Sequence, residues 1–421
     1  MGACLAHNQS GQANRAGSSV SISGINNTRK VPTRLLAIIA GTAVANLYYL
    51  QPLLRVVSIG LHLHGGEAGF LVSASQAGFV VGLGTLLPIG DRLDRRKLIA
   101  LSLGLAAVFD LWVSAAHGLL QLMLALAGLG AFAVVAQIAV TYAAAAAPAE
   151  SRSRAVATVM SGLLAGIVLA RTYSGAVAGA TSYRVVFVIA AIAGVALALV
   201  TWWRLPPEGE KPELRLMKIL STSIELFKGE PLLQLRSLLG MLVFASFSMF
   251  WTTMALALSS PPYRLSTGAI GLFGFAGLAG VIAARTVGRL ADQGRTRLTT
   301  VVSFSVIVLS WLGLLLDRNS LWVFVVLTAT LDAGLQGAQL TNQSLIYRVG
   351  RGSQGRVTMA YMVNYFLGGV LGSLLASLLF TAGGFVLVSG AGVVAGLLPL
   401  VIWLGLAGRE RRWISEADSV G

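Results

Sequence analysis

The sequence predicts an all-α membrane protein, with twelve transmembrane helices in two pseudo-symmetric six-helix bundles. Three observations predict it. Hydrophobic residues make up 56% of the 421 positions and charged residues only 11%, and mean hydropathy is +0.78, outside the range of a soluble chain. Apolar runs of about 20 residues, the length that crosses a bilayer core roughly 30 Å thick, recur twelve times. Basic clusters fall at every second gap between those runs.

Taken in order, residues 1–32 are a Ser-, Asn- and Gly-rich tail that reads as disordered and cytoplasmic. This tail holds Cys4, the one cysteine, and lacks a signal peptide's basic start and small-residue cleavage site. Apolar runs then begin near Arg34, Ala68, Leu98, Leu119, Ala155 and Arg184, giving an N-terminal bundle over 33–205. A polar stretch over 206–235 reads as a cytoplasmic central loop. Six further runs begin near Ser237, Ser266, Leu298, Leu321, Val357 and Gly384, giving a C-terminal bundle over 236–407, and 408–421 is a second cytoplasmic tail.

Charge sets the orientation. The net charge of +15 would suit nucleic-acid binding if it were spread over one surface, but here it tracks alternate gaps. Arg92, Arg95, Arg96 and Lys97 fill one such gap, Arg285, Arg289, Arg295 and Arg297 another, and Arg409, Arg411 and Arg412 the tail. The opposite side holds only Arg55, Arg184, Arg264 and Arg318. Positive-inside bias therefore places both termini in the cytoplasm and leaves nucleic acid without a role. His7, His62, His64 and His117 have no metal-ligand spacing, and neither a nucleophile elbow, a phosphate loop nor a paired-carboxylate site is present. No catalytic residue, metal or cofactor is expected, and the chain does not read as an enzyme.

Polar groups within a lipid span are costly unless they face protein or water, so their positions mark the functional surface. Asp332, Gln336, Gln339 and Gln343 share one face of the tenth run, with Asp332 roughly 17 Å deep at ~1.5 Å per residue. Three amides and an acid exceed what interhelical glue at about 0.6 kcal/mol per contact requires, and they read as a cavity wall. Asn46 and Tyr49 in the first run, Gln137 in the fourth, Trp251 in the seventh, and Tyr361, Asn364 and Tyr365 in the eleventh are the other cavity candidates. For the seventh-run aromatics, plain packing is an equal reading. Arg171 is either an anchor snorkelling to the outer interface or a cavity residue. Asp110, deep in the third run, suits a structural hydrogen bond as well as proton chemistry. Amides and aromatics with few charges suit a neutral or amphipathic small-molecule ligand.

The two halves repeat one another. Gly90-Asp91-Arg92-Leu93-Asp94-Arg95-Arg96-Lys97 follows the second run, and Gly288-Arg289-Leu290-Ala291-Asp292-Gln293-Gly294-Arg295 follows the eighth. The stretch Arg154 to Gly162 matches Arg356 to Asn364, an offset of 202 that also pairs Gly166 with Gly368. A parallel repeat of this kind is the layout of many secondary transporters, with the substrate site between the halves at mid-depth. The first loop resembles the major facilitator superfamily pattern Gly-x-Leu-Ala-Asp-Arg-x-Gly-Arg-Arg: Asp91, Arg92, Arg95 and Arg96 match it, and Leu87 and Asp94 replace its glycines. The resemblance covers roughly residues 33–408. It implies a cytoplasmic gate latched by Asp91, Arg92, Arg95, Arg96 and, in the second loop, Asp292; a solvated charged loop is the alternative.

Within that superfamily the chain resembles the bacterial drug, sugar and nucleoside efflux branch. The resemblance rests on Ala45-Asn46-Leu47-Tyr48-Tyr49-Leu50-Gln51-Pro52 and on Asp332-Ala-Gly-Leu-Gln336-Gly-Ala-Gln339. It departs at the fifth-helix antiporter pattern, where Ile167, Ala170 and Arg171 replace a proline and two glycines, and at Leu124, which stands where the branch has its coupling arginine. The resemblance implies proton-coupled efflux of small organic molecules by alternating access, in a multi-pass protein of the bacterial inner membrane that acts as a monomer. Asp332 and Asp110, the two deep acids, are the candidates for carrying the proton. An uptake symporter of the same fold is the alternative; a non-transporting membrane sensor is the rival from another class.

Overall fold

The computed structural model describes residues 32–63, 66–90, 92–208, 216–317, 319–349 and 354–419. Among the described residues every regular element is helical, and each of the twelve apolar runs forms helix. Among the described residues nine helices are long and apolar enough to cross a membrane. The second, third, fifth, sixth, seventh, ninth and tenth runs are single helices: α3 (Glu67–Ile89), α4 (Arg95–Ala115), α7 (Arg152–Ala180), α8 (Tyr183–Arg204), α10 (Pro231–Leu258), α13 (Thr296–Leu316) and α14 (Leu321–Ile346). The fourth bends at Val134 between α5 (Leu119–Ala133) and α6 (Val135–Ala146), and α9 (Leu216–Gly229) lies in the central loop. The last two runs form α15 (Gln354–Ser419), which leaves helical geometry at Gly383 and Gly384. Gly384 has φ 62°, a left-handed backbone that favours glycine. The helix continues past residue 408, through the predicted tail.

Two runs are discontinuous. The first is α1 (Thr33–Ala45), a turn over 46–50, a 3-10 turn at Gln51–Leu53 and α2 (Leu54–Gly60). Pro52, lacking an N–H, sits in that 3-10 turn, where no interior helical bond is lost. The eighth is α11 (Thr267–Leu272), a 3-10 turn at Phe273–Ala276 and α12 (Gly277–Asp292). Irregular backbone at membrane depth is tolerated where protein or a water-lined space surrounds it, so these breaks mark where to look for a site.

Side-chain caps set several helix starts: Asp94, Ser182, Ser266 and Ser320 each accept from a backbone N–H in the first turn. Such caps contribute about 1 kcal/mol each. The internal repeat has a packing cause. Gly166 of α7 lies against Gly41 of α1, so closely that a Cβ on Gly41 would stand 2.7 Å from the Gly162 carbonyl oxygen. Its repeat mate Gly368 lies in the same way against Met241 of α10. Small residues let backbones approach where no hydrophobic effect drives helix association.

The first six and last six spans close on each other at the end away from the basic clusters. There Ser73 and Ser373 hydroxyls are 2.6 Å apart between α3 and α15, and Ser377 donates to the Gly66 carbonyl. On the opposite flank Thr172 of α7 donates to the Gly271 carbonyl at 3.1 Å.

Candidate functional site

Both discontinuous spans converge on one residue of α7, Arg171. The eighth reaches it through glycines: a Cβ on Gly271 would stand 2.8 Å from the Arg171 carbonyl oxygen, and one on Gly274 3.0 Å from the Arg171 Cβ. The first span reaches it through side chains that the helix break turns inward. Arg171 Nε donates to Gln51 Oε1 at 2.7 Å, and the guanidinium lies 4.9 Å from the Tyr48 ring centroid. Its other face stacks on Trp251 of α10, only 3.5 Å from the ring centroid. Arg171 is 1% exposed, so it belongs to the interior and is no interfacial anchor.

Trp251 also links Arg171 to an acid. Its indole N–H donates to Asp332 Oδ1 on α14 at 3.2 Å, and Asp332 is 5% exposed. The other carboxylate oxygen faces a niche at Gly277, where a Cβ would be 3.1 Å from Asp332 Oδ2 and 3.9 Å from Arg171 Nη1. A positive charge from the first six spans and a negative charge from the last six thus both reach within 4 Å of the same glycine-sized space. In a low-dielectric interior each is the other's main compensation.

A small cavity, ≈ 290 Å³ of space between atoms, opens beside this cluster. Leu47, Tyr48, Gln51, Gln76, Phe244, Phe247, Ser248 and Phe366 line it, drawing on both halves of the chain. Gln76 donates to Ser248 Oγ at 2.9 Å, which leaves its carbonyl oxygen buried without a partner. Asn46 Oδ1 and Gln339 Oε1 are likewise buried and unpartnered. Buried polar atoms in native proteins are almost always satisfied, so the orphan Gln76 oxygen on the wall of this cavity points to a ligand or to water.

The other sequence candidates scatter. Gln336 packs towards Gly280 of α12, and Gln343 and Gln137 are half-buried on α14 and α6. Tyr365 stacks on Phe244 at 4.1 Å behind the cavity wall, while Asn364 donates to Ala360 of its own helix at 2.9 Å. Tyr49 turns away from the cluster and packs on Tyr173 at 5.4 Å and Phe187 at 6.2 Å. Asp110 lies on that side, facing Tyr49 and Tyr173, with Oδ1 buried and unpartnered. Tyr361 accepts a long hydrogen bond from Asn342, 3.5 Å, at the edge of a separate polar knot. In that knot Arg236 binds Glu410 at 2.6 Å, Thr300 at 3.1 Å and Asn342 at 3.1 Å, and Trp403 donates to Glu410 at 2.8 Å.

Of the expected gate residues, Asp91 and the side chain of Asp292 lie outside the described residues, and Arg92 is exposed. Arg95 pairs with Glu208 at 2.9 Å. Arg96 donates to the Trp202 carbonyl and lies 5.1 Å from that ring. Arg96 is therefore tied to the last turn of α8, and Arg95 to the segment just after it. Tyr48, Gln51, Gln76 and Ser248 are the site residues that spacing alone missed.

The matched family model is that of the Major Facilitator Superfamily, over residues 36–373. The chain belongs to the major facilitator superfamily. Relatives of this superfamily agree. The chain is 40% identical over 369 residues to the putative uncharacterized transporter YgaY of Escherichia coli (strain K12), covering 88% of this chain and 94% of that one. It is 30% identical over 384 residues to the probable transporter SCO4007 of Streptomyces coelicolor, covering 90% and 87%. Among solved structures, a bacterial homolog to the human lysosomal transporter Spinster, inward-facing and occupied, superposes with a TM-score of 0.73. That match has 16% identity and covers 92% of this chain and 96% of the other. The nucleoside transporter NupG gives a TM-score of 0.71 at 12% identity, covering 89% and 99%. These likenesses establish the fold, and with the family they make the protein a multi-pass membrane transporter of the major facilitator type.

Proposed function

We propose that this chain is a proton-coupled secondary transporter of small amphipathic organic molecules, working by alternating access in the bacterial inner membrane. The observation that carries the reading is the buried Arg171–Trp251–Asp332 cluster, in which opposite charges from the two halves meet beside an aromatic cavity. Residues 33–205 and 236–407 act as the two rocking bundles, with the central loop and both termini cytoplasmic. Closure of α3 on α15 and of α7 on α11 seals the outer end. Asp332 carries the proton, and Arg171 supplies a fixed charge that a moving bundle brings towards it or takes away. The gate residues of the basic loops latch the cytoplasmic end, and the carrier works as a monomer.

Two cycles fit this cluster. The resemblance to the efflux branch favours export in exchange for protons, with protonation of Asp332 displacing substrate from the Gln336–Gln339 face, where Gln339 Oε1 is unpartnered. Uptake with a co-transported proton is favoured by the buried, unpartnered Nη2 of Arg171. The experiment is a substrate screen in inside-out vesicles with an imposed pH gradient. Accumulation driven by an acidic lumen supports exchange; accumulation driven by an acidic exterior supports co-transport. Transport that ignores the gradient in both directions sinks proton coupling.

A further inference from the structure

Arg171 has a hydrogen-bonding position that the protein leaves unused. Its Nε is held by Gln51 and its faces by Trp251 and Tyr48, while Nη2 is buried with no partner. A guanidinium cannot be deprotonated inside a protein, so this charge is permanent. Asp332, its countercharge, forms no ion pair with it and instead accepts from Trp251. Both border the niche at Gly277. On the Tyr48–Gln51 side lies the cavity, with Leu47, Phe244, Phe247 and Phe366 for an apolar body and the unpartnered Gln76 Oε1 for a donor group.

We infer that the ligand of this site is an organic monocarboxylate with an apolar or aromatic body, and that it binds together with a proton. The inference rests on the cluster being the transport site, as proposed above. The empty cluster is neutral, one guanidinium against one carboxylate. Adding a carboxylate to Nη2 brings an excess negative charge unless Asp332 takes up a proton. Protonating Asp332 alone leaves Arg171 uncompensated. Either step by itself strands a buried charge at a cost of several kcal/mol, and both together do not. A dianion would overfill a site with one arginine, and a cation would meet the guanidinium already lying on Trp251.

The neighbours of Asp332 keep this exchange simple. The charged and titratable groups that face it are Arg171 on α7, Tyr48 in the broken first span and Tyr365 on α15. Trp251 faces it from α10, Gly277 and Gly280 from α12, and α13 meets α14 through Ser303 and Ile307. No second acid competes for the proton among these. Of the two cycles above, the inference selects co-transport.

The test uses the full-length protein in detergent, with phenylacetate, phenylacetamide and phenethylamine as matched acid, neutral and cationic probes. Thermal stabilisation reports binding, and an indicator dye in weak buffer reports protons. Phenylacetate should stabilise the protein most, take up about one proton per molecule bound, and weaken up to about tenfold per pH unit between about pH 5 and pH 8. Asp332→Asn should bind it with no proton uptake and little pH dependence, and Arg171→Gln should lose it. If Arg171→Gln does not fold, the Asp332→Asn readout decides. Equal or stronger stabilisation by the amide or the amine, proton release on binding, or no response to any probe overturns the inference. Flux of the same probes in proteoliposomes separates the two layers. An acid that binds with a proton but never crosses sinks the transport reading alone, and a carrier that moves the amide or amine but ignores the acid sinks the inference alone.

Discussion

Glu410→Ala should destabilise the protein more than any surface substitution, although Glu410 lies beyond the last apolar run. Glu410 is 2% exposed, accepts from Arg236 Nε at 2.6 Å and from Trp403 Nε1 at 2.8 Å, and pairs with Arg236 Nη2 at 2.6 Å. Arg236 is itself 1% exposed, and its remaining bonds go to the neutral Thr300 and Asn342. Removing the acid leaves a buried guanidinium without countercharge, a loss of about 3–5 kcal/mol. The stranded indole N–H adds about 1 kcal/mol or more. A stability of ~5–15 kcal/mol would lose a large share. The assay is reversible denaturant unfolding in micelles, followed by tryptophan fluorescence. Glu410→Gln, which keeps acceptor atoms without the charge, should fall between wild type and Glu410→Ala. The double variant Arg236→Met with Glu410→Met should recover most of the loss, because a buried ion pair replaced by apolar groups is close to neutral. A Glu410→Ala shift under about 1 kcal/mol, or a double variant no better than the single, would refute the reasoning.

Gly277→Ala puts a methyl 3.1 Å from Asp332 Oδ2 and 3.9 Å from Arg171 Nη1. It should slow transport while costing about 1–3 kcal/mol of stability, and an unchanged rate would mean that the niche has no part in the cycle. Impermeant thiol labelling of intact cells should miss Cys4 and a cysteine placed in the 209–215 stretch, yet reach one placed at His62. Labelling of the central stretch from outside would reverse the topology.

Much of this was legible because lipid imposes few solutions: helix length, charge asymmetry and the internal repeat all follow from the bilayer and from close packing. The site was legible in part. Asp332 stood out as a midplane acid, and Arg171 as a charge with two readings that only its burial separates. Tyr49 failed for a geometric reason. Grouping Tyr49 with Asn46 on one wall assumes a continuous helix, and the chain leaves α-helix after Ala45, so Tyr48 and Gln51 turn to Arg171 instead. Gln76 is one amide in an otherwise apolar run, and its bond to Ser248 on α10 is not visible in any local pattern. Glu410 read as tail because the apolar run had ended; its burial depends on Arg236, 174 residues away, which no local pattern reveals.

Gradient-driven accumulation by the Asp332→Asn protein tests the central claim most directly. Wild type and variant are reconstituted into proteoliposomes, a pH gradient is imposed in each direction, and the internal concentration of a transported substrate is followed. Asp332 is buried beside Trp251 and the Gly277 niche, and in the proposed cycle it is the group whose charge changes. Wild type should concentrate substrate, whereas Asp332→Asn should only equilibrate or exchange it. An Asp332→Asn carrier that still builds a substrate gradient would contradict this and move the proton to Asp110, or remove protons from the cycle altogether.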